Sequence, residues 1–285
     1  MNAFSPLLEM LGHDFMRNAF LVASAMALAG GLAGYFLVLR NQVFAADALG
    51  HVAFTGALAA LVLGVSELAG AFGLTVLAAA FLSRMTAGSR AGDVVIGSFF
   101  AWVLGLGVLF LSLYVTTRSG STNGAAGVTV LFGSVFGVGP AQARLSAAIG
   151  AGATAALLAI GRPLLFASVD DAAAAAYGVG VRAISLVFLL LVAVIVAEAV
   201  QVVGALLILG VFATPAAIAQ RLTPRPYLGM MLSAGTALLG VWAGLTISYA
   251  VPHVPPSFAV TGVLFAGYVG VAGAGSLRLK RSGTR

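Results

Sequence analysis

Uncharged apolar runs of roughly twenty residues recur from one end of this chain to the other, and they leave few options for its fold. A helix needs about 20 apolar residues, rising about 1.5 Å each, to cross the ~30 Å hydrocarbon core of a bilayer. Runs of this kind cover residues 17–39, 44–65, 67–83, 93–115, 144–166, 182–201, 203–221, 227–250 and 257–277. Only 8% of the 285 residues are charged, against about 25% in a soluble domain. A chain so poor in charge cannot solvate a water-facing surface. Open sheet edges and irregular backbone are not tolerated against lipid, so the spans are helices. The expectation is an all-α fold, a polytopic transmembrane helical bundle of about nine spans forming a single domain over residues 1–285. The 37 glycines and many alanines fit it, because small residues let transmembrane helices approach closely.

Two assignments need a decision. The segment 128–140 (VTVLFGSVFGVGP) is apolar but spans only about 20 Å as a helix, which predicts one short re-entrant or interfacial piece. The run from Ala183 to Gln220 carries one charge, Glu198, and is too long for one helix, so a break is expected near Gln201–Gly204. Basic residues test both decisions. Nine spans with the N-terminus outside put eleven of the 14 Lys and Arg on the inner face and leave Arg17, Arg118 and Arg144 outside, the bias expected of cytoplasmic loops. The same bias accounts for the net charge of +6 without nucleic acid. Residues 1–15 read as an amphipathic interfacial segment rather than a cleavable signal peptide, since no basic start precedes an apolar run. The absence of cysteine removes disulfides and thiolate metal sites.

Three places concentrate chemistry. Asp47 and His51 lie four apart in RNQVFAADALGHVAFTG, hence on one helix face, with Thr55 one turn further and a small-residue face through Gly50, Ala53, Gly56, Ala57 and Ala60. One reading has Asp47 capping the helix and His51 hydrogen-bonded within the bundle. The other makes the pair a transient metal site or the lining of an ion path. Carboxylate and imidazole suit Zn(II), Mn(II) or Fe(II), and intramembrane ionisable groups mark pathways. Glu198, the second intramembrane acid, has three readings: part of the pathway, a partner for an arginine, or a group snorkelling to the outer boundary. His253 in VPHVPP and His13 near the N-terminus are weaker candidates. The segment 168–182 (SVDDAAAAAYGVGVR) should form a short inner-face helix, with Asp170 or Asp171 as cap, an alanine run, and Gly178 as stop. It is either a plain connector or a knob docking into a cytoplasmic partner. Pro215, inside GALLILGVFATPAAIAQRL, marks a kink that is a hinge or a static bend.

Four stretches in order carry a resemblance. They are FMRNAFLVASAMALAGGLAGYFLVLRNQVFAADALGHVAFTG, GDVVIGSFFAWVLGLGVLFL, DDAAAAAYGVGVR and VVGALLILGVFATPAAIAQRL. Together they resemble the membrane subunit, or permease, of bacterial ABC importers for zinc, manganese and iron, over nearly the full length. The resemblance implies a homodimer of permeases in the cytoplasmic (inner) membrane, and nine spans from an outside N-terminus put the C-terminus in the cytoplasm. It also implies two cytoplasmic ATPase subunits beneath and an extracytoplasmic metal-binding protein above. No cofactor would be tightly bound: the divalent metal is cargo, and ATP sits on the partner. The chain itself has no phosphate-cradling GxxxxGK[ST] loop, so it is expected to be a transport subunit and not an enzyme. Asp47 and His51 fall on the family's Asp and His. Asp170, Asp171, Tyr177 and Gly178 fall in its coupling segment, and Pro215 on its signature proline. Gly50 and Val52 depart from the family's usual Ser and Ala, and Glu198 matches no motif. The alternative is a proton- or sodium-coupled secondary transporter using Asp47 and Glu198 as a relay. A membrane metallohydrolase would need a fuller ligand set, such as an H-E-x-x-H helix, which the chain lacks.

Overall fold

The computed structural model describes residues 10, 12–86, 92–117, 133–205, 208–251 and 253–282. In chain order the helices are α1 (Asp14–Leu39), α2 (Val43–Leu63), α3 (Glu67–Thr86), α4 (Gly92–Thr117), α5 (Pro140–Val169), α6 (Asp171–Ala176), α7 (Val181–Val203), α8 (Ile208–Leu222), α9 (Pro226–Ala250) and α10 (Pro256–Ser282). A 3-10 turn, Val135–Gly137, precedes α5. Every predicted span is a helix. Eight are long and apolar enough to cross a membrane, while α8 has 15 residues and reaches only about 22 Å.

The difficult boundaries resolve on local chemistry. The long apolar run breaks after Val203, where Gly204 adopts φ 90 and ψ 156, a conformation essentially restricted to glycine. The expected short segment 128–140 lies partly outside the described residues. Its described part is the 3-10 turn, tied to α7 by the Ser134 N–H donating to the Gln201 carbonyl at 3.4 Å. Pro140 then opens α5 in its first turn, where the missing N–H costs nothing, four residues before the expected start. Most of the interfacial segment 1–15 also lies outside the described residues, but its last two residues already belong to α1. The first turn of α1 carries an Asp14–Arg17 ion pair.

The two central helices are α1 and α2. The first packs against α5, α7, α8 and α9, the second against α3, α4, α7 and α8, so α7 and α8 bridge the two groups. Helices α4 and α10 are peripheral and show Trp102, Val108, Phe258 and Phe265 outward. Such an apolar exterior belongs against lipid. Hydroxyl groups stitch the interior, as where the Ser233 Oγ of α9 donates to the Gly31 carbonyl of α1 at 2.6 Å.

Close approach is what the glycines provide. A Cβ on Gly56 of α2 would strike the Gly70 carbonyl of α3, and one on Gly70 would strike the Gly56 carbonyl and Ala60. Backbone meets backbone there, so neither helix can yield without separating from the other. Gly73, one turn along α3, has nothing within 4 Å of its Cβ position. Gly70→Ala should therefore destabilise the chain by about 1–3 kcal/mol through overpacking, read as a lower thermal unfolding midpoint in detergent. Gly73→Ala, the same change on the same helix, should leave the midpoint level or slightly raised. Equal effects of the two substitutions would refute the contact.

Candidate functional site

The site begins at a tight turn. After α1 the chain reverses through Arg40–Gln42, with Asn41 in the left-handed region at φ 54, which asparagine tolerates better than most residues. The Gln42 N–H donates to the Leu37 carbonyl at 2.8 Å. Gln42 is the residue that caps α2. Asp47 thus lies beyond the first turn, about 6 Å along the axis from Val43, and His51 about 12 Å along it. The capping reading of Asp47 is corrected by this: the free N–H groups of the helix end are already behind it.

Each face of α2 has its own neighbour. Gly56 meets α3, and Gly50 leaves room for Ile208 of α8. The polar stripe turns toward α4. The Thr55 Oγ1 donates to the Val103 carbonyl at 3.3 Å, so this buried hydroxyl ties two helices instead of extending a polar path. The His51 ring meets the edge of Phe100, with centroids 5.0 Å apart and planes at 72°. Asp47 and His51 are both half-buried and close enough to interact electrostatically. Neither side chain makes a hydrogen bond to another described residue. The expectation of a hydrogen-bonded histidine inside the bundle is corrected too. An acid and an imidazole four residues apart in a membrane helix, half open and without hydrogen-bond partners among the described residues, are free to take an ion, water or a group from another chain.

Glu198 stands elsewhere. It is 2% exposed on α7 and accepts a hydrogen bond from the Ser146 hydroxyl of α5, which removes the snorkelling and arginine-paired readings. Beside it, the Gln142 Nε2 donates to the Gln201 Oε1 at 3.4 Å. Among the described residues no group of three or more His, Asp and Glu could hold a metal, so Glu198 does not complete a ligand set with Asp47 and His51. His253 is exposed on its turn. His13 stacks against Phe15, with centroids 5.5 Å apart.

The segment between α5 and α7 folds as its residues dictate. The Asp170 side chain accepts from the Ala173 N–H at 2.9 Å and caps α6, and Asp171 occupies the first turn. Gly178, at φ 82, ends it, a role open to glycine at no steric cost. Ala174 is fully buried and anchors the helix, while Tyr177 is 82% exposed with its ring 5.8 Å from that of Phe166. Pro215 lies buried within α8, its carbonyl 3.5 Å from the Thr236 hydroxyl of α9. A second internal proline, Pro163 in α5, carried no sequence signal beyond its identity. Sequence reasoning also missed Ser146 and Phe100. A serine in an apolar helix signals some hydrogen bond, but its partner depends on helix packing.

Known proteins with similar chains fit this geometry. The manganese import system permease protein ScaB of Streptococcus parasanguinis is 28% identical over 237 residues, 83% of this chain and 82% of the relative. A probable iron transport system membrane protein of Haemophilus influenzae is 27% identical over 244 residues, 83% of each chain. In structure, PsaBC from Streptococcus pneumoniae in complex with Fab matches with TM-score 0.81 at 23% identity, covering 94% of this chain and 95% of that one, a likeness of fold. An inward-facing metal-chelate type ABC transporter, described as putative, matches with TM-score 0.68 at 18% identity, over 94% and 89%. The model of the ABC 3 transport family matches residues 12–272, and the chain belongs to that family.

Proposed function

We propose that this chain is the membrane permease of an ATP-driven importer for a divalent transition metal, manganese or iron first and zinc by the same ligand chemistry. The observation that carries the reading is the half-open, unpartnered Asp47–His51 pair on the central helix α2. The relatives named for manganese and iron support it, as does the hard–borderline character of a carboxylate–imidazole pair. Two protein donors make a weak site, which suits cargo that must leave again. A second copy of the chain, facing the first across a two-fold axis, would bring another Asp47 and His51. The working unit is then a homodimer in the inner membrane with its C-termini cytoplasmic. Two ATPase subunits bind below and a metal-delivery protein binds above. A gradient-driven relay through Glu198 gains no support, because that carboxyl is engaged by Ser146 instead of reaching Asp47.

In this reading, ATP binding draws the two ATPases together, α6 moves with them, and the central route changes the face to which it opens. Asp47 and His51 supply oxygen and nitrogen to a cation that has shed part of its water. Asp47→Ala and His51→Ala, each in vesicles holding the permease and its ATPase, should lower manganese or iron uptake about tenfold or more, at least the loss seen when weaker supporting contacts of metal sites are removed. Assembly and basal ATP hydrolysis should persist. Uptake of all three metals at the unsubstituted rate would remove the role.

The coupling role of α6 has its own test. Ala176 and Tyr177 are exposed while the buried Ala174 anchors the helix, so Ala176→Arg should leave the thermal midpoint of the isolated chain unchanged and Tyr177→Ala, which loses the ring contact with Phe166, should lower it only slightly. Both should reduce co-purification of the ATPase subunit, and the ATP-driven uptake that depends on it, by about tenfold, the scale of an exposed aromatic anchor. Full retention of the ATPase in both variants would reduce α6 to a connector.

A further inference from the structure

A cavity of about 860 Å³ opens between the ends of α1, α3, α6 and α7, and neither Asp47 nor His51 lines it. Its charged wall comes from Arg40 after α1, Arg84 near the end of α3 and Arg182 in the first turn of α7. Asp171 is the one acid among the lining residues, so the wall is positive on balance. Arg40 is held in place: its Nη2 donates to the Ser185 hydroxyl at 2.6 Å, and its guanidinium lies 5.9 Å from the centre of the Phe188 ring. Its Nη1 is buried and has no hydrogen-bond partner among the described residues. An acceptor entering the cavity would reach that donor only if the side chain shifts, so the pull on an anion comes from the positive charge of the wall as a whole. The first turn of α7, Val181 to Ala183, also faces the cavity, and the positive end of that helix dipole adds to the pull on an anion.

Beyond the charged groups and the polar Gln42, Ser83 and Ser185, the wall is apolar. Leu186 and Leu189 of α7 line it, roughly 6 and 10 Å deeper along the helix than Arg182. A free phosphate ion would have no use for that depth, nor for a space of this size. We infer that the cavity binds an anionic phospholipid, with its phosphate on Arg40, Arg84 and Arg182 and an acyl chain along Leu186 and Leu189. Guanidinium groups match phosphate oxygens with paired N–H donors. Basic pockets between helix ends at the membrane boundary are where lipid headgroups lodge. The inference needs only that these span ends lie at a headgroup layer, and it stands apart from the identity of any transported metal.

The test uses the full-length chain in detergent, titrated by native mass spectrometry with dioctanoyl phosphatidylglycerol, dioctanoyl phosphatidylcholine and inorganic phosphate. The expected result is tight binding of the phosphatidylglycerol alone, weakened about tenfold or more (~1.4 kcal/mol) in R84Q/R182Q. Both of those side chains are exposed, so the double variant should keep the thermal midpoint of the parent. Arg40→Lys, which keeps charge but loses the paired donors, should weaken binding less. Equal binding of the two lipids, or unchanged binding in R84Q/R182Q, would overturn the inference. Phosphate binding as tightly as phosphatidylglycerol would replace the lipid with a free anion. Loss of the ATPase subunit from R84Q/R182Q with lipid binding intact would assign the arginines to that partner and overturn the lipid assignment.

Discussion

The backbone contact between Gly56 and Gly70 sets the rotation of α2, and most of the chemistry follows from that angle. With those two carbonyl edges pressed together, α2 cannot turn about its axis. The Thr55–Val103 hydrogen bond then fixes the adjoining stripe against α4, and Ile208 fits the notch at Gly50. What is left for Asp47 and His51 is a half-open direction between neighbours. In water, burial of apolar area would drive such packing. In lipid it rests on close van der Waals contact and a few hydrogen bonds, so one added methyl group at Gly70 weighs more than many side chains at the lipid boundary.

The same physics separates what could be read in the sequence from what could not. Span positions follow from length and polarity alone. The break after Val203 was visible as a run too long for one helix, with a glycine where the backbone must turn. The cap at Asp170 and the stop at Gly178 were legible because capping is local chemistry. The environment of Asp47 was not. A four-residue spacing says that two side chains share a face, but not which helix that face meets, and the extra turn from Val43 to Ala46 that takes the cap away from Asp47 depends on the Arg40–Gln42 reversal. The surroundings of Glu198 were hidden for a related reason. Its partner, Ser146, lies 52 residues away, and no pattern within either helix reveals such a pairing.

An intramembrane carboxyl can be satisfied within its own chain or held open for something else. Glu198 is closer to the first course: it is sealed between α5 and α7 with a hydroxyl donor on one oxygen, while its Oε2 is buried with no hydrogen-bond partner among the described residues. Asp47 takes the second. The two acids therefore differ in setting, one sealed with a single hydroxyl donor and the other half-open, and the difference lies in burial rather than in residue type. Access from outside the packed bundle is what favours Asp47 over Glu198 in the proposed cargo route.

Helix α7 joins the parts that a transport cycle would need to move together. It begins immediately after the α6 segment and packs against α2, α3 and α5. Its first turn forms one wall of the arginine-lined cavity. A displacement of α6 by a partner would pass into both neighbouring spans, since only Asp170 separates it from α5 and only four residues, Tyr177 to Gly180, separate it from α7. From α7 it reaches α2 directly, through packed side chains of fixed volume. A lipid headgroup bridging α1, α3 and α7 through three guanidinium groups would resist or bias that same displacement. If both proposals hold, the lipid site and the metal site would be linked in part through α7, and each would then respond to an equilibrium the other shifts.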